Sequence, residues 1–118
     1  FRKAAERGDA AGQYNLAHML AEGPGADHRE AAKWYRAAAD QGHPRAAMGL
    51  AHQYSQGLGI APDPVEAYFW YGIAARSGVE GAQRFRTALG AQISAAQRQM
   101  ADSRVAGWKL QNADGEGQ

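Results

Sequence analysis

The chain has 118 residues, enough for one domain with a modest core, and its net charge of +1 gives no whole-molecule field to gather nucleic acid or anionic membrane. Cysteine is absent, which excludes disulfide scaffolds and cysteine-rich zinc sites and says nothing of compartment. Alanine supplies 27 residues and favours close-packed helices, while no stretch approaches the roughly 18–20 apolar residues that cross a bilayer.

In chain order, Phe1-Arg2-Lys3-Ala4-Ala5-Glu6-Arg7-Gly8 matches Tyr35-Arg36-Ala37-Ala38-Ala39-Asp40-Gln41-Gly42. The chain therefore opens in mid-repeat, with a partial helix over 1–8, as expected of a fragment of a longer protein. A first unit follows over 9–42. Gln13, Leu16, Ala17 and Leu20 share one face of a helix expected at 10–22, with one polar lapse, and Gly23 and Gly25 end it. Asp27-His28-Arg29-Glu30 is a capping box that starts a second helix at 28–41. Its stripe is Ala31, Trp34, Tyr35, Ala38 and Ala39, and Gly42 closes the unit.

The second unit, 43–78, repeats the first. Gly8, Leu16, Ala17, His18, Gly23 and Gly25 return 34 positions later as Gly42, Leu50, Ala51, His52, Gly57 and Gly59. Ala31, Trp34, Tyr35, Ala38, Ala39 and Gly42 return 36 positions later as Ala67, Trp70, Tyr71, Ala74, Ala75 and Gly78. Two extra residues between Gly59 and Asp63 account for the changed period, and loops absorb such insertions cheaply. Helices are expected at 44–56 and at 64–77, the latter started by Asp63-Pro64-Val65-Glu66. A period in the thirties signals a stacked array in which each unit buries its apolar face on its neighbours. The fold class is therefore all-α, an α/α solenoid. Trp34 and Trp70 are expected in the core between successive helix pairs.

The glycine pair Gly57 and Gly59, then Asp63, the Trp70-Tyr71 pair, Ala74-Ala75 and Gly78, resembles the Sel1-like repeat, a relative of the tetratricopeptide repeat with a longer loop. The resemblance covers about residues 1–91. The first unit departs from it: Ala26 replaces the usual branched residue, the loop is two residues short, and Leu20 stands where an aromatic is common.

After Gly78 the pattern decays over 79–110. Helices are expected at 79–91 and 94–110, paired like the others, but Arg84 and Arg86 stand where the preceding copy has Met48 and Leu50. Ile93-Ser94-Ala95-Ala96-Gln97 reads as a staple and capping box opening a closing helix, with Met100, Arg104, Val105 and Trp108 near one face. Residues 111–118 are polar and expected to be a disordered tail.

No residue pattern demands catalysis or a cofactor. His18 and His52 occupy equivalent positions, but neighbouring helices lie roughly 8–10 Å apart, too far for one zinc ion without further ligands, so groove histidines are the better reading. His28 and His43 sit at helix starts. The Gly-x-Gly pairs do not extend to a phosphate loop, and the tryptophan-tyrosine pairs read as core rather than as a stacking platform. No Gly-x-Ser-x-Gly or His-Glu-x-x-His occurs, so no catalytic, cofactor or metal residue is assigned.

A protein-interaction scaffold is the leading expectation, with no nucleic-acid partner and no insertion of this segment into a membrane. By analogy with the tetratricopeptide pattern, Tyr14, His18, Arg45, Met48, His52, Ser55 and Arg84 face a concave groove that takes a peptide or protein. Arg45 or Arg84 would meet an acidic group there. A competing basic surface comprises Arg84, Arg86, Arg98, Arg104 and Lys109. The resemblance also admits a bacterial cell-envelope or signalling module. A penicillin-binding or hydrolysing enzyme, suggested for cysteine-rich relatives, is the weakest reading, because those cysteines are missing here.

Overall fold

The computed structural model describes the backbone of residues 2–116 and the side chains of residues 2–108. Among these, seven α-helices and no strand are present: α1 Arg2–Glu6, α2 Ala10–Ala21, α3 His28–Asp40, α4 Pro44–Gln56, α5 Pro64–Arg76, α6 Ala82–Gly90 and α7 Ala95–Glu116. Local chemistry sets most of the boundaries. Asp9, Asp27 and Asp63 accept backbone N–H groups at the starts of α2, α3 and α5, and Gly57 ends α4 in the left-handed conformation at φ 69°. The Ser94 hydroxyl accepts from Gln97 N at 3.0 Å while Gln97 Oε1 accepts from Ser94 N at 2.8 Å, a reciprocal box before α7.

Successive helices pack on one another from α1 to α6, the arrangement of a helical solenoid. Alanines at 31, 38, 46, 47, 51, 67 and 74 are buried at these contacts, and their small side chains let the helices approach closely. The polar lapse Gln13 is buried too. Its amide donates to Ala5 O at 3.2 Å, and Gln41 donates to its carbonyl at 2.8 Å, so the group is satisfied in place. The loop over residues 57–63 reaches back to the preceding unit: Gly59 lies so close to the backbone carbonyl of His28 that a Cβ would collide with it.

Four expectations need correction. Trp70 is buried at 2 % exposure, but Trp34 is only half-buried. Trp70 is covered by Phe69 and by Trp108 of α7, whereas the Trp34 indole turns along its own helix to donate to Glu30. Second, α7 packs on α5 and not chiefly on α6. Gly72 permits this, since a Cβ there would lie 2.9 Å from Val105. Third, α6 starts at Ala82 rather than 79, because Gly81 at φ 85° turns the chain before the helix begins. Finally, α7 continues past residue 110 to Glu116, no proline or glycine intervening before Gly115. Gly117 and Gln118, the end of the expected disordered tail, lie outside the described residues.

Candidate functional site

Helices α2 and α4 place the side chains at four-residue intervals along one face, and the turn after α5 forms the opposite wall. Between them lies a groove of about 790 Å³. Tyr14, His18, Arg45, Met48 and His52 line it, five of the seven residues assigned from the repeat register. Ser55 and Arg84 are exposed but lie off this groove.

Aromatic rings make up much of the groove surface. The Tyr14 ring stacks on His43 at 4.8 Å and on His18 at 5.9 Å, and tilts against Tyr35 at 6.0 Å. Tyr35 rests on the bare backbone of Gly49: a Cβ at that glycine would stand 2.5 Å from the ring. A second cluster follows along the stack, where His52 packs edge-on against Tyr71 and Phe85 and its Nδ1 meets the Tyr71 hydroxyl at 2.6 Å. His52 is therefore half-buried and bonded within the fold, so it holds the groove wall as well as facing the groove. Phe85 stands 43 % exposed, stacked on Tyr71 at 5.3 Å.

Burial dominates the acid–base behaviour of these groups. It pushes the Tyr35 phenol up to about 12, with Tyr14 and the Glu22 carboxylate adding to the effect. It also raises Tyr71 to about 12, opposed by the neighbouring Ser55 hydroxyl. His52 is lowered by burial alone. His43 is lowered by burial and then by Arg45, with Asp9 opposing, and its Nδ1 accepts the Ala46 N–H that caps α4.

Eight further lining residues lie outside the repeat-register assignment, among them Glu22, Tyr35, Gly49 and Glu80. Glu22 caps α2 four residues after His18 and 3.6 Å from it, on the line of Tyr14 and His18 that the register could have extended, and Glu80 sits in a turn. The signal that could have found Gly49 is its replacement by Phe85 one unit later.

The competing basic surface is mostly committed to the fold. Arg86 donates to Asp102 at 2.5 Å and lies over the Tyr68 ring. Arg98 donates to the carbonyls of Gly90 and Ile93, and Arg104 pairs with Glu66 at 2.5 Å over Phe69. Arg84 alone of the four described arginines has no such contact among the described residues. Lys109 has a side chain outside them. No group of three histidines or carboxylates is placed to hold a metal among the described residues, and no described helix is long and apolar enough to cross a membrane.

A family model, described as Sel1 repeat, matches residues 1–9, 10–43 and 44–79. Among solved structures, a protective antigen of uropathogenic Escherichia coli displaying an SLR fold is similar at 34 % identity and a TM-score of 0.83. The match covers 92 % of this chain and 24 % of that one. A Sel1 repeat protein from Oxalobacter formigenes is similar at 39 % identity and a TM-score of 0.68, over 73 % of this chain and 66 % of that one. This chain thus spans less than two thirds of the length of either. No curated protein matches the sequence.

Proposed function

The chain belongs to the Sel1 repeat family, whose members generally mediate protein–protein interactions, and from that premise we propose that it binds a segment of a partner protein in the groove between α2, α4 and the turn after α5. One observation carries the reading: aromatic, thioether and charged side chains from successive units converge on a single open groove of about 790 Å³. Such a surface supplies rigid apolar anchors with a polar rim, the composition that interface hot spots favour. Met48 adds an unbranched side chain that adapts to varied contours. The family is typically a non-catalytic scaffold, and binding rather than turnover is the activity proposed here.

Site-specific photocrosslinking tests the location. A photoreactive residue at His18 or Met48 of the full-length protein should give one discrete adduct in cells. The same probe at Met100, 70 % exposed on α7, should give none. Adducts from Met100 with none from the groove positions would refute the assignment.

A second reading, a cell-envelope or signalling module, is favoured by the E. coli neighbour being a protective antigen. Fractionation of cells expressing the full-length protein tests it: recovery in the envelope fraction supports this reading, and recovery in the cytosol alone opposes it.

A further inference from the structure

Resting on the groove reading, we propose that the occupant is a basic segment of a partner protein. Its lysine or arginine side chains pair with Glu22 and Glu80, and an apolar side chain rests on Met48. This reverses the charge that Arg45 and Arg84 suggest when read from the sequence alone.

The charged groups lining the groove are Glu22, Glu80 and Arg45, so with histidines left out of the count the lining carries a formal charge of −1 on a chain whose total, counted the same way, is +1. The negative character is therefore local to the groove. Glu22 is open to a cation: its side chain is 66 % exposed, and its partner among the described residues, His18 at 3.6 Å, is charged only when protonated. Glu80 makes no ion pair among the described residues. At the floor, burial first, then Tyr14 and the Glu22 carboxylate, push the Tyr35 phenol up. The field of Arg45 falls instead on His43, where Asp9 counters it. An acidic segment would meet two carboxylates for each guanidinium.

Selection of short random peptides displayed on phage, against the folded protein, tests the proposal and needs no identified partner. Selected sequences should be enriched in lysine or arginine beside a large apolar residue. Their synthetic versions should lose about tenfold in affinity on the double change Glu22→Gln with Glu80→Gln, in line with two exposed charge contacts. Arg45→Ala should strengthen binding. The tenfold loss should shrink at high salt, where such contacts are screened.

Acidic peptides that weaken on Arg45→Ala would overturn the charge assignment and leave the groove reading standing. Peptides that bind the Tyr14→Ala, Met48→Gln variant as well as the parent would overturn the groove reading itself. Failure to select any peptide that Glu22 and Glu80 control would also count against the proposal. Circular dichroism of each variant separates lost binding from lost fold.

Discussion

Gly49 and Gly107 form a matched pair that isolates the packing of Tyr35. Both lie inside helices, where glycine costs about 0.5–1 kcal/mol relative to alanine. A Cβ on Gly107 meets nothing within 4 Å, so Gly107→Ala should stabilise the protein by about that amount. A Cβ on Gly49 would lie 2.5 and 2.8 Å from Cε1 and Cδ1 of Tyr35, a ring only 6 % exposed and unable to swing freely. Overpacking of this kind costs about 1–3 kcal/mol, so Gly49→Ala should end about 0–2.5 kcal/mol less stable than the parent. The contrast between the two variants, read from urea denaturation at matched slopes, removes the shared helix-propensity gain. Removing the ring with Tyr35→Leu should turn Gly49→Ala into a stabilising change, a coupling that a double-mutant cycle measures. If Gly49→Ala stabilises as much as Gly107→Ala in the parent, Tyr35 does not rest on Gly49. The floor of the groove is then wrongly described.

Trp70→Ala should cost about 3–5 kcal/mol in denaturant unfolding and Trp34→Ala clearly less, because only the former ring is enclosed. Asp63→Ala removes the oxygen that accepts from Val65 and Glu66 and should cost about 1 kcal/mol by the same assay. His43 and His52 titrate below the ordinary value of 6.5, so the unfolded chain binds more protons than the folded one just below that pH. Their contribution to stability should be complete above about pH 6.5 and fall away as pH drops through the lower folded values. His43→Ser, which replaces the capping Nδ1 with a hydroxyl oxygen that gains no proton, should flatten that slope in melts across the range. His52→Ala should lower the melting temperature as well as any binding, since Nδ1 holds the Tyr71 hydroxyl; an unchanged melt would show that this contact does not support the wall.

Helix positions were readable because their signals are local. Asp27, Asp63 and Ser94 bond to backbone within three residues, and Gly57 needs only its own conformation, so each announces a boundary without tertiary information. What stayed hidden depends on which side chains arrive from elsewhere. Trp34 and Trp70 are identical in register, yet Trp108 from α7 covers one of them. Arg86 and Arg104 look like a free basic face until Asp102 and Glu66 are brought to them across 16 and 38 residues. The groove was half legible. Periodicity assigns residues on α2 and α4 and extends from Tyr14 and His18 to Glu22, four residues on, but Glu80 belongs to a turn, where the period carries no information.

The contact between Gly59 and the backbone of His28 means that the units written in the sequence are not the units that come apart. To detach the second helix pair, the chain must also strip its connecting loop from the start of α3 in the pair before it. The second repeat thus covers part of the first, and unzipping between these two cannot proceed in whole-repeat steps. The free energy that joins these two repeats is correspondingly larger relative to the free energy within each one, and in a linear array that ratio governs cooperativity. A loop that looks like tolerant filler in the sequence therefore helps a short stack melt as one body.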